Sequence, residues 1–239
     1  MSKKNARWRK LDNAAKLYSA ASNKKDTRAF RFYCELKEEV NPKALQEALN
    51  QTIETFPTFL MVLRKGFFWH YLEPCNLRPI VKEEYKEPCS RLYIRDKKTL
   101  LFEVTYYKKR INFEVFHVLT DGTGATEFLK ELVKNYLYLV HKEEGLEQIT
   151  LLPEDMTVQD QEDDSFLKYY SKNQKRPKKR KLNAFQIRRK KKDGNHLHVH
   201  ESVVSVQAVL KRSRELGVSM TIFLTALFMM AINEEMSKM

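Results

Sequence analysis

His117, Asp121 and Gly122 stand in the pattern H-x-x-x-D-G within His117-Val118-Leu119-Thr120-Asp121-Gly122. With 6 His and 6 Gly in 239 residues, chance placement gives such a hexamer in roughly 0.6% of shuffled chains, so the match is informative. An imidazole with a pKa of about 6.5 accepts a proton near neutral pH from a hydroxyl or amine as that group attacks a carbonyl. Gly122 has no side chain and lets a substrate or backbone come close. Asp121 lies four residues after the histidine, and its expected task is an ion pair that fixes the loop. The alternative reading is a core histidine followed by an ordinary Asp-Gly turn.

Other residues offer weaker chemistry. His196, His198 and His200 alternate, so a strand would place them on one face, where they could hold a metal. No Cys, Asp or Glu completes the set, since Glu201 points the other way, and a polar strand face is the favoured reading. His70 and His141 stand in no recognisable context. Cys34, Cys75 and Cys89 are an odd number at unpatterned spacing. With a basic Met1 to Lys10 and no apolar stretch behind it, they suggest reduced thiols in a cytoplasmic protein without a secretory signal.

The elements that must hold His117 are legible around it. Thr99 to Tyr107 and Ile111 to Phe116 read as a hairpin, and the second strand runs directly into the motif. An amphipathic helix follows from about Thr123, with Phe128, Leu129, Leu132, Val133, Tyr136, Leu137 and Val140 in one apolar stripe. Upstream, Thr27 to Leu36 reads as a half-buried strand with Phe30, Phe32, Cys34 and Leu36 on one face. Asn41-Pro42 opens a helix that runs to about Phe56. Phe59 to Arg64 and Phe67 to Leu72 flank Lys65-Gly66 as a second hairpin. Downstream, His196 to Val204 suggests a strand, Val206 to Leu216 a helix stopped by Gly217, and Ser219 the cap of a final helix.

Composition sets the class. The chain is 42% hydrophobic and 31% charged, with 44 Lys+Arg against 31 Asp+Glu. This is enough apolar residue to bury a core, which excludes a wholly disordered chain, and the length excludes a disulfide-stapled miniature. The excess charge is local. Ser165 to Lys192 holds every surplus cation and no acidic residue, after an acidic piece from Glu154 to Asp164. Blocks of like charge resist collapse, so residues 142–195 read as a mobile connection. The run Met220 to Ile232 is too short for a bilayer span of about 20 residues. It reads as a buried helix.

The motif and the helix after it, from Phe116-His117 through Asp121-Gly122-Thr123-Gly124 to Phe128-Leu129, resemble those of an acyltransferase superfamily. That superfamily contains chloramphenicol acetyltransferase, nonribosomal-peptide condensation domains, plant BAHD acyltransferases and microbial alcohol acetyltransferases. Trp8-Arg9-Lys10-Leu11-Asp12-Asn13-Ala14-Ala15-Lys16 resembles the N-terminal segment of the alcohol-acetyltransferase-like members. Gly217 to Leu227 resembles the helix that opens the second lobe in condensation-type proteins. The resemblance implies an α+β fold, a two-layer α/β sandwich in which a chloramphenicol-acetyltransferase-like lobe with a mixed sheet spans residues 1–141. Residues 196–239 would form the final strand and the start of a second lobe.

The implied activity is transfer of an acyl group from an acyl-CoA, such as acetyl-CoA, to a small alcohol or amine, without a metal. His117 would be the general base, Asp121 a structural aspartate paired with an arginine, and Gly122 the glycine beside the substrate tunnel. Binding both substrates beside one base removes the entropy cost of bringing them together. The superfamily's first histidine is Phe116 here. The chain ends within the helix expected after Ser219, so oxyanion-stabilising residues are expected to be missing in part. Residues 220–232, left uncovered, imply self-association. An alternative function is an acyltransferase-like binding protein whose basic arm, 172–192, holds nucleic acid or anionic membrane.

Overall fold

Strict alternation in the central strands commits one sheet face to the core, and a computed structural model shows what covers it. The structure describes residues 8–23, 26–67, 69–95, 97–142, 185 and 199–236. The chain divides into two units, Met1–Lys172 and Asn173–Met239. In the first unit the order is β1 (Arg9–Lys10), α1 (Asn13–Ala21), β2 (Ala29–Glu35), α2 (Pro42–Thr55), a 3₁₀ turn (Pro57–Phe59), β3 (Met61–Lys65), β4 (His70–Pro74), β5 (Lys82–Glu83), β6 (Phe102–Tyr107), β7 (Arg110–Phe116) and α3 (Gly122–Val140).

The strands form two sheets. One is three-stranded in the order β1-β4-β3, and the other four-stranded in the order β2-β7-β6-β5. In the larger sheet β2, β7 and β6 are antiparallel neighbours, and β5 runs parallel to β6. The fold class is therefore α+β with a mixed sheet, as the resemblance implied.

Register decides the core. Phe32 of β2 and Val104 of β6 both lie opposite Phe113 of β7, with Phe30 and Phe102 opposite Val115. Phe128 of α3 drops onto this face, stacked 4.6 Å from Phe113 and 4.4 Å from Phe59. α2 adds Leu45, Ala48, Leu49 and Ile53, all buried. Each large apolar side chain removed from water in this way contributes about 1.5–3 kcal/mol. Asn41 caps α2 by accepting from the N–H of Lys43 at 3.0 Å and of Ala44 at 3.2 Å, as its position before Pro42 predicted.

The opposite face is polar and still largely closed. Glu103 and Glu114 sit directly across from each other on β6 and β7. Like charges in that relation repel. Each is neutralised separately: Lys86 donates to Glu103 at 2.5 Å, and Arg31 donates to Glu114 from Nε at 2.7 Å. Nearby Cys89 has its backbone at φ +57°. Cys34, Cys75 and Cys89 are free thiols. Burial, the first cause for each, pushes all three above the usual thiol range.

Several elements differ from the sequence reading. The hairpin strands shift towards the C-terminus: Phe59 lies in the 3₁₀ turn behind Pro57, and β4 begins only at His70. The apparently featureless start holds α1, opened by Asp12, whose carboxylate accepts from the Ala15 N–H at 2.6 Å. The short strands β1 and β5 carried too few residues to show a period. The expected mobile connection falls almost wholly outside the described residues.

The second unit contains α4 (Val206–Glu215) and α5 (Met220–Met236). Residues 199–204 form no strand there, because none of the described residues pairs with them. Gly217 ends α4 at φ +65°, the left-handed turn that favours glycine. α5 is apolar around its whole circumference and leaves Ile222, Phe228, Met229 and Met230 more than half exposed in this unit. Among the described residues no single helix is long and apolar enough to cross a membrane. α4 and α5 would qualify only as a pair, and they are bent by 87°.

Candidate active site

β7 ends at Phe116, and the chain then turns. The Leu119 N–H donates to the Phe116 carbonyl at 2.8 Å, which closes a tight turn. His117 is the first residue of that turn, and its own N–H donates to the Arg28 carbonyl at 3.0 Å. Arg28 holds φ +55°, an uncommon backbone for a side-chain-bearing residue, immediately before β2. Val118 and Leu119 are buried in the core behind the turn. The main chain beneath His117 is thus pinned on both sides.

The imidazole itself is half-buried. Tyr18 of α1 stacks on it with ring centroids 4.1 Å apart and planes 13° from parallel. Phe30 of β2 lies 4.6 Å away, tilted by 51°. Among the described residues neither ring nitrogen has a hydrogen-bond partner. None of the described residues therefore occupies its two nitrogens or satisfies it as a core histidine.

Asp121 has a different task from the one expected. It is exposed and forms no ion pair among the described residues. Its Oδ1 accepts from the Gly124 N–H at 2.9 Å, which makes it the N-cap of α3. Capping supplies one of the hydrogen bonds that a helix start lacks, and the carboxylate meets the positive end of the helix dipole. An aspartate placed just before a helix was enough signal to predict this. Among the described residues no arginine pairs with Asp121. Arg9 of β1 instead donates from Nη2 to the Leu119 carbonyl at 3.4 Å, a long contact to the turn between His117 and Asp121.

The two glycines also divide their tasks. A Cβ on Gly122 would meet only Phe32 Cζ, at 4.0 Å, so the space beside it is open. A Cβ on Gly124 would collide with the Thr120 hydroxyl. Gly122 thus has open space beside it, while at Gly124, which the spacing did not single out, a side chain would require the Thr120 hydroxyl to move.

Sequence reasoning missed Tyr18 and Arg9 as parts of this arrangement. Both come from the first 20 residues and reach the motif only through the fold. His200, the described member of the alternating histidines, is exposed in irregular chain, and His196 and His198 lie outside the described residues. No group of three or more His, Cys, Asp or Glu side chains suited to a metal occurs among the described residues.

No family model matches the sequence, and no curated protein matches it. Among solved structures, the chain is similar to the starter condensation domain of rhizomide synthetase RzmA, at 13% identity and TM-score 0.49, covering 61% of this chain and 40% of that one. It is similar to the first condensation domain of the calcium-dependent antibiotic synthetase at 14% identity and TM-score 0.46, covering 62% of this chain and 40% of that one. A third is polyketide synthase associated protein 5 from Mycobacterium tuberculosis, at 15% identity and TM-score 0.44, covering 61% and 36%. The chain therefore spans well under half the length of each.

Proposed function

We propose that this chain carries the base-bearing lobe of an acyltransferase that moves an acyl group from an acyl-CoA thioester to a small alcohol or amine, with His117 as general base. The observation that carries this reading is the imidazole at the end of β7, with pinned backbone, ring faces packed and nitrogens without a partner among the described residues.

The chemistry follows from that geometry. One imidazole nitrogen takes the proton of the acceptor's O–H or N–H while the acceptor's lone pair forms a bond to the thioester carbonyl carbon. The tetrahedral intermediate collapses by breaking the C–S bond, and the departing thiolate recovers the proton from the imidazolium. No covalent enzyme intermediate and no metal are required. Asp121 acts at a distance by fixing the start of α3, and Gly122 leaves room beside the base.

The test is thiol release from acetyl-CoA in the presence of a panel of small alcohols and amines. Loss of a general base lowers turnover by about 10²–10⁴-fold. H117A should show that loss while keeping its circular dichroism and melting behaviour. Turnover that survives in H117A removes the reading. A second reading, polyanion binding, is favoured by the run of cations without an acidic residue between Ser165 and Lys192. It predicts binding that weakens steeply with salt and disappears when Lys178 to Lys181 are neutralised, with no dependence on His117.

A further inference from the structure

We propose that Tyr18 is the positioning residue for His117, holding the imidazole plane by ring stacking where a hydrogen bond to a carboxylate or carbonyl would ordinarily do so. This inference rests on the acyl-transfer reading and adds to it a residue that the motif does not contain.

A histidine that acts as a base is usually oriented by a hydrogen bond that its second nitrogen donates. The described residues supply none here. Neither acidic group adjoining His117 in sequence bonds its ring among the described residues. Glu114, on the same strand, accepts through Oε1 from Arg31 Nε at 2.7 Å and from the Cys89 N–H at 2.7 Å. Asp121 caps α3. What remains to fix the ring is its packing. Tyr18 lies nearly parallel to it at 4.1 Å, and Phe30 closes in at 4.6 Å and 51°. Rotating the imidazole out of its plane drives its edge into the face of Tyr18.

The support for Tyr18 is itself rigid. α1 is capped by Asp12 at 2.6 Å, and Leu11 and Ala15 are buried in the core at 3% and 4% exposure. The Tyr18 carbonyl accepts from the Ser22 N–H at 3.0 Å as the helix ends. The backbone that carries the ring is therefore tied to the core. An aromatic face is also the surface against which the imidazolium formed during proton transfer is favoured.

The experiment compares Tyr18→Phe, Tyr18→Leu and Tyr18→Met in the full chain, each checked by thermal melting. Proton NMR of the His117 ring, assigned by its absence in H117A, reads the stack directly. The ring-current shift should persist in Tyr18→Phe and collapse in the two non-aromatic variants. Acetyl-CoA kinetics should show kcat falling by about 10–100-fold in Tyr18→Leu and Tyr18→Met with KM little changed, because a misaligned base loses rate rather than substrate binding. Tyr18→Phe should recover near wild-type kcat. Wild-type kcat in the folded non-aromatic variants, an unmoved His117 signal, or a Tyr18→Phe as poor as Tyr18→Leu overturns the assignment. A wild-type chain without acyl transfer, or turnover independent of His117, instead overturns the function on which it rests and removes the catalytic role with it.

Discussion

Arg31 and Glu114 occupy opposed positions on β2 and β7, and the guanidinium reaches Glu114 Oε1 from both Nε, at 2.7 Å, and Nη2, at 2.6 Å. Glu114 side-chain exposure is 3%, and its second oxygen has no partner among the described residues. Arg31 also reaches Glu84 Oε1 at 2.5 Å. Burial works against the guanidinium's charge, and the two carboxylates more than compensate, raising its pKa. One cation therefore keeps an interior carboxylate tolerable three residues before His117.

Removal of that cation should be costly. R31A leaves Glu114 charged and without its partner in the interior, a defect worth about 3–5 kcal/mol. Replacing both partners by apolar residues, as in R31M/E114L, should restore part of that stability, since a buried pair and an apolar pair of similar volume differ little, while Glu84 and the Cys89 N–H each still lose a partner. Urea unfolding of the three chains decides it. A double variant no more stable than R31A would show that the pair does more than cancel its own charge.

Asp121 separates capping from charge. D121A should lower stability by about 1 kcal/mol through loss of the bond to the Gly124 N–H, whereas D121N, an equally good cap, should stay close to wild type. Thermal melts of both variants provide the measurement. If D121N melts as early as D121A, the negative charge and not the hydrogen bond is what α3 requires.

His70 predicts an acid-sensitive contribution. Burial, then the nearby Lys65 and Arg95 charges, hold its imidazole below the usual range. The unfolded chain therefore binds a proton first as the pH falls through about 6.5, and stability declines from there down to the lower folded-state value. Above that window both states are neutral and His70 has no effect. The urea midpoint should fall between about pH 7.5 and about pH 5.5, and H70Q should show a smaller fall. An identical fall in the variant would assign the acid sensitivity to other groups.

The sequence by itself determined the central hairpin, α2 with its Asn41 cap, the long stripe of α3 and the placement of His117 between strand and helix. These are local facts: alternation, helical spacing and cap chemistry act within a few residues of each other. It also singled out His117 as the candidate base, because H-x-x-x-D-G is a contiguous pattern. α1 escaped notice because a short helix among charged residues carries a faint period, and the strand expected around His200 has no pairing partner among the described residues, which no local pattern reveals. Only tertiary structure decided what surrounds His117. Tyr18 is far from it in sequence and Arg9 farther still, and neither has a spacing relation to the motif. They meet it because Leu11, just before α1, and Ala15 within it pack into the core while β1 pairs with β4. Contacts of that kind depend on which apolar faces close on one another, a property of the whole packed core that no single segment encodes.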